Sequence, residues 1–386
     1  MSIIFESPSA QHDFSRGPHW YHESPFLPLG GNEEKKAGAS SLKDTATRCL
    51  FMDQSAVKPE LFENIPWMIA RELWEYLSRR DKNTLYMWKI FTARYPQDFP
   101  RLSPFYSLKT DFPKSPLKGY LDIMKCDACH WRAVLSLSTV HATVTDLVDI
   151  SNQKNLVALE INRNMRAPKI SSDMGIENGA ELEDGIVRSW LEVAQATGTL
   201  QNLQVLRIHE QHNLTHQVFW MLEQLPRLKL VVVYCCRKFT QEFGQPTART
   251  KHGVQVAGWN AQRLDWISDG PQKGDALKRL GSLLDVYKDV LTSEDIDSKS
   301  TPPILGSAIP IMEFDLSGLD CDDTGTMERR ARYAAESIFF FTRAPQRNAT
   351  KRAQPEEHQP RSGSKRILKE RGRRDMGDVL GDLLGM

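Results

Sequence analysis

From Ile65 to about Arg94 the apolar positions recur at helical spacing. Ile69, Leu73 and Leu77 share one side with Trp74 beside them, and Pro66 stands where a helix accepts proline, at its first position. The polar run Arg79-Arg80-Asp81-Lys82-Asn83 interrupts the stripe, Leu85, Trp88 and Phe91 begin a second, and Pro96 and Pro100 stop it. The pattern predicts a helical hairpin too small to bury a core alone. It must lean on the rest of the chain or on another protein.

From about Trp131 short apolar runs take over, with a recurring phrase. Leu156-x-x-Leu159-x-Ile161-x-x-Asn164 is followed by Leu203-x-x-Leu206-x-Ile208, by a looser Leu225-x-x-Leu228-x-Leu230, and is preceded by Val134-Leu135-Ser136-Leu137. The last apolar residues, Leu137, Ile161, Ile208 and Leu230, lie 24, 47 and 22 residues apart. Such periods predict leucine-rich-repeat-like units, each a strand plus a helix or turn, whose inward faces are buried only by their neighbours. The double-length gap reads as one repeat with a polar insertion, Ala167 to Glu183, ahead of a helix marked by Ile186, Trp190 and Ala194. Thr215 to Leu225 also reads as helical.

Further along, the pattern predicts a strand at Val254–Val256 and a helix at Asp275–Leu291. An extended segment at Ile304–Leu316 would close the sheet, and Glu328–Phe341 is ambiguous between helix and strand. The expected fold is therefore α/β, a short irregular leucine-rich-repeat-like solenoid behind a helical hairpin. Both ends look disordered. Residues 1–40 mix Ser, Pro, Gly and paired charges without periodicity, and their aromatics, His19-Trp20-Tyr21-His22, would at most cover a nearby patch. Residues 343–374 carry 11 Lys/Arg against 3 Glu. Behind them Met376, Val379, Leu380, Leu383 and Leu384 form a helical stripe with Asp375 as a candidate N-cap, the form of a partner-docking helix.

Composition narrows the class. With 50 basic and 49 acidic residues there is no whole-molecule charge to attract nucleic acid or an anionic membrane. No apolar run approaches a membrane span, and the first residues do not read as a secretory signal. Six unevenly spaced cysteines do not make a disulfide framework. A protein of the cytoplasm, the nucleus or both is expected.

Little in the chain points to catalysis. Cys126-x-x-Cys129-His130 has the haem-attachment pattern, and the same residues could begin a zinc site. Cys235-Cys236, the obvious further donors, should end a strand several repeats away, so a plain turn is favoured and no metal or cofactor is expected. His209, His212 and His216 follow the strand ending at Ile208 and read as a solvated loop; their spacing misses HExxH by one residue. No phosphate-binding glycine loop or nucleophile elbow is present. In the basic tail, Lys351-Arg352, a spacer, then Lys365, Arg366 and Lys369 fit a bipartite nuclear import signal. A solvated linker fits as well, and the near absence of aromatics argues against specific nucleic-acid binding.

The hairpin opening Ile65-Pro66, with Ile69, Leu73, Leu77 and a later Trp88, resembles an F-box. The runs IPWMIARELWEYL and LYMWKIF, the helix GIVRSWLEVAQATG and the strand NLQVLRI together resemble F-box-like proteins of filamentous fungi, over roughly residues 60–260. That resemblance implies a non-enzymatic adaptor. Ile65, Pro66, Ile69, Leu73, Leu77 and Trp88 would contact a Skp-type linker of a cullin–RING ubiquitin ligase, and the repeats would hold a client. The expected order is an arm (1–40), an F-box-like helical region (41–100), a repeat-like domain (101–342), a basic linker (343–374) and a terminal helix (375–386). The alternative is a nuclear interaction or scaffold protein without a ligase role, in which the hairpin only caps the repeats.

Overall fold

The computed structural model describes residues 19–20, 41–80, 82–110, 113, 116–163, 179–243, 254–263, 279–297, 309–317 and 338–343. Its strands are β1 (His19–Trp20), β2 (Phe105–Lys109), β3 (Arg132–Ser138), β4 (Leu156–Asn162), β5 (Val205–His209), β6 (Leu230–Tyr234), β7 (Val254–Val256), β8 (Trp259–Arg263), β9 (Ile311–Leu316) and β10 (Ile338–Arg343). Among the described residues these form one sheet in the order β1-β2-β9-β3-β4-β5-β6-β10-β8-β7. Its first seven members run parallel, and β10, β8 and β7 continue it antiparallel.

The recurring phrase becomes the four adjacent strands β3 to β6. Leu137 pairs with Ile161 and Ile161 with Ile208, as equivalent rungs should. The fourth rung differs from the sequence reading. Ile208 pairs with Val233, and Leu230 sits three residues earlier against Val205. Leu225 and Leu228 precede the strand, so the third leucine phrase marks its approach rather than its body. The unbroken Leu230-Val231-Val232-Val233 run suits a strand buried on both faces. β4 and β5 are direct neighbours, so the double-length gap puts no strand between them.

Two placements correct the expected order. β9 does not close the far end of the sheet but inserts between β2 and β3, pairing with both. His19–Trp20, assigned to a disordered arm, adds a strand to the edge of β2. Such insertions are long-range pairings that no local pattern encodes. The region ambiguous between helix and strand ends in β10. Val254–Val256 is joined to β8, which the sequence reading lacked, by Ala257 and Gly258 at φ 45° and 73°, the left-handed pair of a tight hairpin.

The helices are α1 (Leu42–Leu50), α2 (Trp67–Ser78), α3 (Leu85–Arg94), α4 (Phe99–Leu102), α5 (Leu117–Met124), α6 (Val144–Asp149), α7 (Asp184–Thr197), α8 (Val218–Leu222), α9 (Arg237–Phe243) and α10 (Leu283–Asp297). The connections β3-α6-β4, β4-α7-β5 and β5-α8-β6 place all three helices on one sheet face. Leu147, Trp190 and Phe219 pack there with Leu137, Ile161, Ile208 and Val233. The opposite face carries α10, through Leu283, Leu284, Val286 and Tyr287 on Val134, Ala158, Val205 and Val232. This helix starts later than the expected Asp275, because Ser282 caps it by accepting the Asp285 N–H at 3.2 Å.

The predicted hairpin exists as α2 and α3, with Pro66 as the N-cap residue of α2 rather than its first helical residue. Thr84 caps α3. The core under the hairpin runs without a break into the sheet, since Trp88 meets Tyr106 on β2 at 5.7 Å and Trp131 at 6.0 Å between ring centroids. Residues 41–100 and the repeat-like region therefore share one core. The chain divides instead after Ala344, and residues 344–386 lie outside the described residues.

Arg343, assigned to the basic linker, is the last residue of β10. Its guanidinium donates to the carbonyls of Leu225, Pro226, Leu228 and Glu223, at 2.8, 3.0, 3.4 and 2.6 Å. It thereby closes the turn between α8 and β6. Arg343→Met is expected to lower unfolding free energy by about 1.5–3 kcal/mol, the worth of charge-assisted hydrogen bonds. Urea denaturation measures it, and a change under ~0.5 kcal/mol would mean that water replaces the arginine.

Candidate functional site

The six residues proposed for linker contact fall into two groups. Leu77 and Trp88 are wholly buried, so in this fold they hold the core and cannot touch a partner. Trp67 and Trp74 of α2 do not face outward either. Both turn inward, Trp67 towards Tyr95 and Phe99 and Trp74 towards Phe91 and Phe99. Ile65 and Leu73 are half-buried against the same core.

Pro66 and Ile69 are exposed. With Ile69 stand two apolar residues the sequence reading did not single out: Leu61, in the turn Pro59–Phe62 just before α2, and Met68. Leu61, Met68 and Ile69 are 53%, 67% and 52% exposed. Charged pairs flank them, Arg71 with Glu75 at 2.9 Å and Lys43 of α1 with Glu72. A large apolar group left in water forfeits about 1.5–3 kcal/mol that burial would return. Three within nine residues make an apolar surface open to a partner, although Leu42 and Met52 of the same helical region are also exposed.

A second cluster lies on the α10 face of the sheet, toward the carboxyl ends of the parallel strands. Cross-strand pairing aligns Asp315, Ser136, Glu160 and Arg207 in one row, all buried. Arg207 donates to Glu160 Oε1 at 3.2 Å and also to the carbonyl of Gly281, just before α10. Tyr234 donates to the same Oε1 at 3.2 Å, and Ser136 to Oε2 at 3.4 Å. Burial, then the Glu160 carboxylate, pushes the Tyr234 hydroxyl well above its ordinary range, so it stays a donor. Glu160 is fully engaged by these donors. The row can fix strand register and anchor the start of α10, but it presents no free acid or nucleophile to a substrate.

The sequence carried a signal for this row. Ser136, Glu160 and Arg207 each fill the slot between the last two apolar residues of a repeat phrase. Opposite charges in equivalent slots of adjacent strands meet across the ladder.

The histidine loop needs correction. His209 is not in a solvated loop; it is the last residue of β5, buried, its ring stacked on Tyr234 at 4.1 Å. His212 does lie beyond the strand, and burial, then Arg237 and Arg163, hold its imidazole below the usual range. Cys126, Cys129 and His130 form a turn before β3, whereas Cys235 and Cys236 follow the carboxyl end of β6, so the two pairs lie at opposite ends of the strands and three positions apart in the sheet. Among the described residues no group of three His, Cys, Asp or Glu could hold a metal, and no helix is long and apolar enough to cross a membrane. Lys351, Arg352, Lys365, Arg366 and Lys369, with the docking-helix residues Met376, Val379, Leu380, Leu383 and Leu384, lie outside the described residues. Comparison with family models, curated proteins and solved structures finds no match.

Proposed function

We propose that the chain is a non-enzymatic protein–protein interaction adaptor of the F-box type, acting in the cytoplasm or nucleus. The outer face of α2 engages a Skp-type linker of a cullin–RING ubiquitin ligase, and the β3–β6 region, read as a short irregular leucine-rich-repeat-like stack, holds a client. The observation that carries this reading is the exposure of Leu61, Met68 and Ile69 on a hairpin whose other face packs into the core. Contact would rest on Pro66, Met68 and Ile69, with Leu77 and Trp88 supporting from beneath.

Ile69→Asp is expected to weaken retention of a recombinant Skp-type linker by at least about 30-fold, as burying one aliphatic side chain contributes roughly 2 kcal/mol. It should leave the melting midpoint nearly unchanged, because Ile69 is exposed. A wild-type chain that never retains the linker would overturn the adaptor reading. One observation favours the alternative, an interaction or scaffold protein whose hairpin only caps the sheet: the hairpin core is continuous with that of the sheet. Under that alternative the Ile69 substitution changes no linker contact, since none exists.

A further inference from the structure

The turn between α5 and β3 brings two thiols together. The Cys129 N–H donates to the Cys126 carbonyl at 3.1 Å, closing a four-residue turn. A turn closed in this way holds its end Cα atoms within about 7 Å, and disulfides bridge Cα separations of roughly 4.4–6.8 Å. Cys129 has φ 53°, a left-handed conformation that an L-residue with a side chain seldom adopts.

The turn is clamped on both sides. The Cys126 N–H donates to Asn155 Oδ1 at 3.3 Å, Asn155 Nδ2 to the Met124 carbonyl at 3.1 Å, and Trp131 Nε1 to that carbonyl at 3.2 Å. Lys89 of α3 reaches the Ile123 carbonyl at 2.8 Å. The Cys126 sulfur is buried and accepts the His130 N–H at 3.3 Å, whereas Cys129 is partly open to solvent. One cysteine is therefore reachable from outside, and the other is buried three residues earlier in the same hydrogen-bonded turn.

We propose that Cys126 and Cys129 are a reversible dithiol–disulfide site, oxidised by low-molecular-weight disulfides. The Cys129 thiolate attacks one sulfur of such a disulfide, forming a mixed disulfide and expelling one thiolate, which takes up the proton that Cys129 lost. Cys126 then attacks the Cys129 sulfur, gives up its proton and expels the second thiol. Two protein thiols become one disulfide by loss of two electrons and two protons, and one external disulfide becomes two thiols. Burial, then Cys126 and Asp127, raise the Cys129 thiol, opposed by Lys154. Its thiolate fraction grows with pH, so the first step accelerates from neutral to mildly alkaline solution.

The test exposes the full-length chain to glutathione disulfide, blocks the remaining thiols with one alkylating reagent, reduces, labels with a second, and reads the peptide spanning residues 126–129 by mass spectrometry. The expected result is that both cysteines lose the first label together and gain the second together, with no glutathione retained. Cys126→Ser should instead leave glutathione on Cys129, because nothing resolves it. Independent modification of the two cysteines in the wild-type chain, stable glutathione on wild-type Cys129, or two thiols that stay reduced would each overturn the proposal. The wild-type measurement decides even if the variant does not fold.

Discussion

Arg207→Met is expected to lower the unfolding free energy by about 3–5 kcal/mol, because it strands the Glu160 carboxylate in the interior without its counter-charge. Both side chains are almost inaccessible, at 2% and 7% exposure, so water cannot take over. The paired substitution Glu160→Leu with Arg207→Met should recover most of that loss, since replacing a buried ion pair by apolar groups of similar volume is often neutral or better. Denaturation of the single variants and the double variant forms a cycle that isolates the coupling. A single variant as stable as the double would mean that the row is solvated and that its alignment has no energetic meaning. The Gly281 contact adds a local expectation: losing Arg207 should loosen the start of α10 first, visible as faster amide exchange over residues 283–287.

Trp88→Ala should cost a similar amount, about 3–5 kcal/mol, by emptying a site enclosed by Phe99, Tyr106 and Trp131. Its effect on cooperativity is the more telling part. Trp88 joins the helical hairpin to β2 and to the residue leading into β3, so the hairpin and the sheet should still unfold in one transition, shifted to lower denaturant. Two separated transitions in the variant, with the sheet's midpoint unmoved, would show that the hairpin is an independent unit. The boundary drawn near residue 100 would then be a physical one. Trp88→Phe, which keeps most of the volume, should lose much less.

The fold narrows the set of residues that the proposed linker contact could use. The F-box resemblance grouped Ile65, Pro66, Ile69, Leu73, Leu77 and Trp88 as one contact surface, but the amphipathic stripe beneath it shows only that some face is buried, not which residues remain outside. The inner face of α2 took Trp67, Trp74 and Leu77, leaving Met68 and Ile69 in solvent. The Glu160–Arg207 pair went unread for a related reason. Each residue alone looks like a polar position on a half-exposed strand, and only pairing β4 with β5 in register makes them neighbours.

The chain's own pattern was enough to establish alternating strands and helices, the adjacency of β3, β4, β5 and β6, the helix marked by Ile186, Trp190 and Ala194 between β4 and β5, and the hairpin ahead of them. These follow from local periodicity, because one buried face imposes a period of two on a strand and 3.6 on a helix wherever the segment ends up. Only the tertiary structure decided that β9 enters between β2 and β3, that Val233 rather than Leu230 continues the rung, that His19–Trp20 pairs with the edge, and that α10 covers the second face. Those outcomes depend on contacts between residues up to some two hundred positions apart, as between β2 and β9. Such pairings are chosen by competition among whole surfaces for burial, and that competition leaves no mark on the spacing of neighbouring residues.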